Sequence, residues 1–162
     1  MTDQVDFYVL DNGNRQDKLH YACRITQKAY DQGLKVFVQS DDPDLSEQMN
    51  GLLWTFSRES FIPHRIRDTE ALSWLDYPVQ IGSLQIDKSR HGKQHTGDGQ
   101  FSAGFADVVV NLADMLSDEM FGFSRIVDLV SGEQNDRLAG RERFQNYRNK
   151  GHEPNTHKLG QK

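Results

Sequence analysis

The chain has 162 residues, only 36% of them hydrophobic, and its mean hydropathy is −0.74, which suits one domain with a modest core and a very polar surface. No run of about 18 apolar residues occurs, which excludes a hydrophobic membrane-spanning helix. The formal net charge of −5 is unevenly spread: residues 137–162 carry seven Lys/Arg against two Asp/Glu, about +5, and residues 1–136 carry twelve against twenty-two, about −10. Such an asymmetry argues for an acidic partner docking at one end rather than for a protein that coats nucleic acid.

Val5–Leu10 reads as a short buried strand, closed by the turn residues Asp11-Asn12-Gly13-Asn14. From Asp17 to Gln32 the recurrence of Leu19, Cys23, Thr26 and Tyr30 predicts a helix, with Gly33 at its C′ position. Cys23 is the only cysteine, so no intrachain disulfide can form; it is expected inside this helix, in a protein of the reducing cytoplasm. The N-terminus lacks a basic region followed by an apolar stretch, so no signal peptide is expected. Leu34–Gln39 is a second strand, and Asp41-Asp42-Pro43 caps a helix that runs to about Trp54.

The middle of the chain is less regular. Glu59–His64 reads as a Pro-containing loop, Val79–Ile81 as a short strand and Gln85–Gln100 as a polar surface loop. Asp107–Leu112 is the strongest β-branched run and predicts a central strand, and Ser124–Val130 another. A last helix is expected from about Glu133 to Asn149. The reading is one α/β domain over residues 1–150, a Rossmann-like, open, mostly parallel sheet flanked by helices, followed by a loosely held polar tail over 151–162.

An open α/β sheet invites a nucleotide at the strand C-termini. The first strand-to-helix turn lacks G-x-G-x-x-G, and no G-x-x-x-x-G-K-[ST] occurs, so no nucleotide cofactor is expected. His91 and His95 stand four apart with His64 elsewhere, but Gly92 and Gly97 oppose a helix that would aim the pair at zinc, so no metal is expected. No G-x-S-x-G elbow is present.

Two constellations remain. Trp54, Phe56, Phe61, Ile62 and Pro63 form an aromatic cluster that serves either as core packing or as an exposed partner patch. In the last helix, at about 100° per residue, Arg137, Arg141, Phe144 and Arg148 fall within an arc of roughly 60°. Such a stripe can hold a carboxylate beside an apolar side chain. The alternatives are pairing with local carboxylates and contact with nucleic-acid phosphates. Ala139 and Gly140 lie off the stripe, where small residues let the helix approach the sheet.

Phe7-Tyr8-Val9-Leu10-Asp11-Asn12, Gly33–Val38, Leu53-Trp54, Glu59-Ser60-Phe61-Ile62-Pro63-His64 and Arg141–Arg148, in this order, resemble the chi subunit family of bacterial DNA polymerase III holoenzyme. The resemblance spans nearly the whole chain. It implies a non-catalytic accessory protein with a Rossmann-like fold and no nucleotide site, hence no cofactor. It further implies pairing with the psi subunit, which connects to the clamp loader, and binding of the acidic, Phe-terminated C-terminal tail of single-stranded DNA-binding protein. A repair helicase is a further family partner.

By the resemblance, Val130, Arg137, Arg141 and Phe144 are the tail-binding positions, Arg148 joining them by its place on the stripe; Trp54, Phe61 and Pro63 are the psi-facing ones. Gln145 stands where the family pattern has a lysine. Neither tight direct binding of nucleic acid nor membrane association is expected. The competing readings are a nucleotide- or metal-dependent enzyme on the same sheet and a direct nucleic-acid binder.

Overall fold

The computed structural model describes residues 2–11, 13–56, 61–67, 74–84 and 106–159. Among these, the order is β1 (Gln4–Leu10), α1 (Arg15–Asp31), β2 (Val36–Gln39), α2 (Pro43–Thr55), β3 (His64–Ile66), β4 (Val79–Gly82), β5 (Val108–Asn111), a 3-10 turn (Asp118–Gly122), β6 (Arg125–Val130), α3 (Gln134–Asn149) and β7 (Asn155–Leu159). The strands form one open sheet in the order β3-β4-β2-β5-β6-β1-β7. Every pairing is parallel, more uniform than the mostly parallel sheet expected.

Local chemistry explains the boundaries. Asn14 opens α1 with a capping box: its side chain accepts the Asp17 N–H at 2.9 Å, and the Asp17 carboxylate accepts the Asn14 N–H at 2.9 Å. Gly33 ends the same helix at φ +84°, the left-handed conformation predicted for it. Asp42 caps α2 directly before Pro43. β2, β4 and β5 are buried along their whole length, as a sheet covered on both faces requires.

The pleat divides the core in two. Val36, Val38, Val108, Val110, Val127 and Leu129 pack under α1 and α2 together with Leu19, Cys23, Met49 and Leu53. Phe37, Val109, Ile126 and Val130 face the other way, with Phe7, Met120, Phe123 and Tyr147. Cys23 is fully buried, and burial pushes its thiol up to about 12, so it packs as a small apolar side chain.

Two elements correct the sequence reading. His64, read as part of a loop, begins β3, a three-residue edge strand directly after Pro63 and too short to show alternation. The supposed loose tail contains β7, which pairs with β1 from Asp6↔Asn155 to Leu10↔Leu159. Its sequence, Asn-Thr-His-Lys-Leu, has no apolar period because four of its five residues are exposed at the sheet edge. Main-chain pairing and one side-chain anchor hold it instead: His157 Nε2 lies 3.1 Å from the buried Asp6 carboxylate, and its ring stacks on Tyr8 at 4.6 Å. The loop expected over 85–100, with His91 and His95, lies outside the described residues.

Candidate functional site

The crevice at the strand C-termini is a recess of about 490 Å³ whose lining includes Arg15, Lys18, Asp41, Asp42, Glu133 and Asp136, and its phosphate-receiving position is taken by one of the protein's own groups. The N–H of Arg15, at the start of α1, donates to the Glu133 carboxylate at 2.9 Å. A helix N-terminus that receives phosphate in dinucleotide-binding proteins therefore holds a carboxylate here. The loop after β6 closes on the loop after β1, with Gly132 N–H donating to Gly13 O at 2.6 Å. Gln39, at the end of β2, donates to Asp41 Oδ1 in its own following loop and accepts the Leu84 N–H from the segment after β4, while Asn111, at the end of β5, bonds to Ala113 in the loop that follows it. Among the described residues no cluster of three His, Cys, Asp or Glu could hold a metal ion. His64 has both ring nitrogens against backbone carbonyls, at 2.7 Å from Ile62 O and 3.1 Å from Asn50 O.

The arginine stripe opens on a different recess, of about 500 Å³, between α3 and the β1/β7 edge of the sheet. Val130, Arg137, Arg141 and Phe144 all line it. Their convergence depends on how close α3 comes to β6. A Cβ on Gly140 would stand 2.5 Å from Val130 Cγ2, so only glycine permits this approach. That accounts for a residue whose helix cost is up to ~1 kcal/mol relative to Ala.

Phe144 meets the Phe7 ring edge-to-face at 5.2 Å and 84°. Arg137 Nη2 approaches Asp11 Oδ1 at 3.6 Å and donates to Asp11 O at 3.4 Å, while its Nε is enclosed with no acceptor among the described residues. A half-exposed contact of this kind is worth ~0–1 kcal/mol, so an incoming carboxylate can displace it. Arg141 is exposed and, among the described residues, has no ionic partner.

Arg148 is not brought into the recess. It lies four residues, about 6 Å of helix rise, beyond Phe144 and sits 3.7 Å from Glu153. Gln145 is on the rim, its amide donating to Asn149 Oδ1 at 3.1 Å. The sequence reading missed Phe7 and Val9, which form the floor, and Thr156 and Lys158, which come from β7. The i, i+2 spacing of Phe7 and Val9 in the first strand places both on one face and could have marked that floor.

A buried network fixes α3 behind this surface. Arg143 Nε donates to both Asp128 oxygens at 2.9 and 3.1 Å, and its Nη1 and Nη2 donate to Asp114 O and Leu129 O. Tyr147 donates its hydroxyl to Asp128 Oδ2 at 2.6 Å. Burial opposes the charge on Arg143, but the Asp128 carboxylate outweighs it and holds the guanidinium above its ordinary value. Burial, reinforced by that same carboxylate, pushes Tyr147 well above the usual tyrosine range.

Trp54, Phe61 and Pro63 come together in a second groove, against β3. Trp54 is 49% exposed and Phe61 67%, with ring centroids 5.7 Å apart. His64 sits beside Trp54 at 4.4 Å. Phe56 and Ile62, by contrast, pack against or within the main core, so the aromatic cluster divides between core and surface.

The fold and its recesses define a Rossmann-like α/β protein whose phosphate position is filled from within and which carries two further recesses at the sheet edges. The family model for the DNA polymerase III chi subunit, HolC, matches residues 1–155. A DNA polymerase III subunit chi from Pseudomonas aeruginosa is 30% identical over 156 residues, 96% of each chain. That of Escherichia coli is 26% identical over 154 residues, covering 93% of this chain and 94% of its own. That of Haemophilus influenzae is 22% identical over 160 residues, covering 99% and 100%. The chain belongs to the DNA polymerase III chi subunit family.

Proposed function

We propose that the chain is a non-catalytic adaptor of the replicative polymerase, acting in the cytoplasm, which bridges the tail of single-stranded DNA-binding protein to the clamp loader through psi. The observation that carries this reading is the placement of the two recesses. The arginine recess lies at the β7 edge and the aromatic groove at the β3 edge of one seven-stranded sheet. Six strand spacings separate these edges by about 29 Å. Two partners can then sit on one rigid sheet without competing, and holding both raises the effective concentration of one near the other.

The chemistry of each recess fits its proposed partner. Arg137 and Arg141 take the tail's terminal carboxylate and aspartates, while Phe144, Val130 and Phe7 wall the terminal phenyl ring. Trp54 and Phe61 are exposed aromatic anchors of the kind that dominate protein interfaces. The acidic body of the chain disfavours a polyanion as a direct ligand. Glu133, standing where a phosphate would dock, weighs against the nucleotide-dependent enzyme.

The test is fluorescence anisotropy with a labelled peptide ending in Asp-Asp-Ile-Pro-Phe and a control lacking the final Phe. Saturable binding that disappears with the Phe is expected; equal binding or none to either peptide removes the tail assignment. Phe61→Ala is expected to weaken capture of psi while leaving peptide affinity unchanged. Equal loss at both would mean misfolding rather than a local contact.

A further inference from the structure

β7 brings a cation to the arginine recess from the side opposite the helix. The registers align Val130 with Val9, and Val9 with Lys158, in one row across three strands. Val130 lies beneath Gly140 of α3, Val9 is half-buried on the floor, and Lys158 stands exposed on the far side. Two strand spacings, about 10 Å, separate the ends of that row. That width accommodates an aromatic side chain lying on Val9, with α3 to one side of it and Lys158 to the other.

The alternation of the edge strand fixes which way Lys158 faces. His157 is turned to the α1 face, where it contacts the Asp6 carboxylate and stacks on Tyr8, so its neighbours Thr156 and Lys158 are turned to the recess. Among the described residues Lys158, like Arg141, has no carboxylate partner, whereas Lys18, Arg125, Arg143 and Lys150 each have one. Two unpaired cations thus flank an apolar floor, and the helical Gln145 beside them is uncharged.

Building on the tail-binding reading, we propose that Lys158 is a peptide-contacting residue of this site: it takes an aspartate carboxylate upstream of the tail's terminal aromatic residue, across the floor from Arg141. The site is then a two-sided cleft, with one cationic wall on α3 and the other on β7. The partner class is an acidic peptide with a C-terminal aromatic residue, not a free anion, because the cations stand apart across apolar surface. A peptide crossing that floor can satisfy both cations at once.

The test combines Lys158→Gln with two forms of the peptide, one with its two aspartates and one with both changed to asparagine, in a double-mutant cycle by anisotropy at low salt. Lys158→Gln is expected to weaken the aspartate peptide about two- to fivefold, the range of an exposed ion pair, and to leave the asparagine peptide unchanged. Lys158→Arg is expected to retain wild-type affinity. If Arg141→Ala loses binding while Lys158→Gln binds both peptides as wild type does, the recess stands and the role of Lys158 is overturned. If Lys158→Gln weakens both peptides equally, the residue acts through the strand and not through a carboxylate, which also overturns it. If the wild-type protein binds neither peptide, the tail-binding reading fails and this proposal with it.

Discussion

Helix α3 carries arginines with opposite fates. Arg143 points at the sheet, is 1% exposed and donates every nitrogen to a carboxylate or carbonyl. Arg141, two residues earlier and about 200° around the axis, is exposed with no ionic partner among the described residues. The same guanidinium fixes the helix from one face and offers an unsaturated cation from the other. Satisfaction, more than charge or residue type, separates an arginine that fixes the fold from one left open to solvent.

The comparison is broken most directly on the inner face. Arg143→Leu would leave Asp128 buried with only the Tyr147 hydroxyl for a partner. Removing one member of a buried ion pair costs ~3–5 kcal/mol, because the remaining charge is uncompensated. Urea denaturation is expected to show a loss of that size, with α3 and both recesses disturbed together. A loss below ~1 kcal/mol would mean that the network is not what seats the helix.

The outer face should respond in the opposite way. Arg141→Ala leaves no buried group unpaired, so its stability is expected to stay within ~0.5 kcal/mol of wild type. Its affinity for the acidic peptide is expected to fall by ~1.5–3 kcal/mol, the range for hydrogen bonds to charged groups. Unchanged affinity in a folded Arg141→Ala protein would detach the recess from the tail. Lost stability would show that Arg141 has a structural duty.

These faces were unequally legible in the sequence. The stripe Arg137, Arg141, Phe144 was visible because helical period alone assigns a face. Arg148, on the same stripe, does not line the recess, because period says nothing about where the underlying sheet ends. The central strands were visible as β-branched runs, and Asn14, Gly33 and Asp42 marked helix ends through short-range chemistry that the structure reproduces. The buried network was missed, although an aspartate inside Ile-Val-Asp-Leu-Val is a signal, since a carboxylate on a covered face needs a cation across from it. β7 gave no such signal. An exposed edge strand has no apolar alternation, and its contact with Asp6 spans 151 residues of sequence. The side of the recess contributed by β7, Thr156 and Lys158, was therefore hidden until the sheet was assembled.

Gly140 lies between the two faces and should give the smallest effect of the three. Its substitution by Ala improves helix propensity by up to ~1 kcal/mol. Against that stands a Cβ only 2.5 Å from a methyl of Val130, which is itself 3% exposed and held in a central strand. Overpacking of this kind costs typically ~1–3 kcal/mol. The terms nearly offset, so Gly140→Ala is expected to lose at most ~2 kcal/mol in urea denaturation. The more telling readout is the peptide. To relieve the clash, α3 must shift outward from β6, which separates Arg141 and Phe144 from Val130 and the floor. Peptide affinity is then expected to fall even where stability hardly changes. Retention of both would show that the recess tolerates a displaced helix, and that the charges alone, without the apolar wall, hold the peptide.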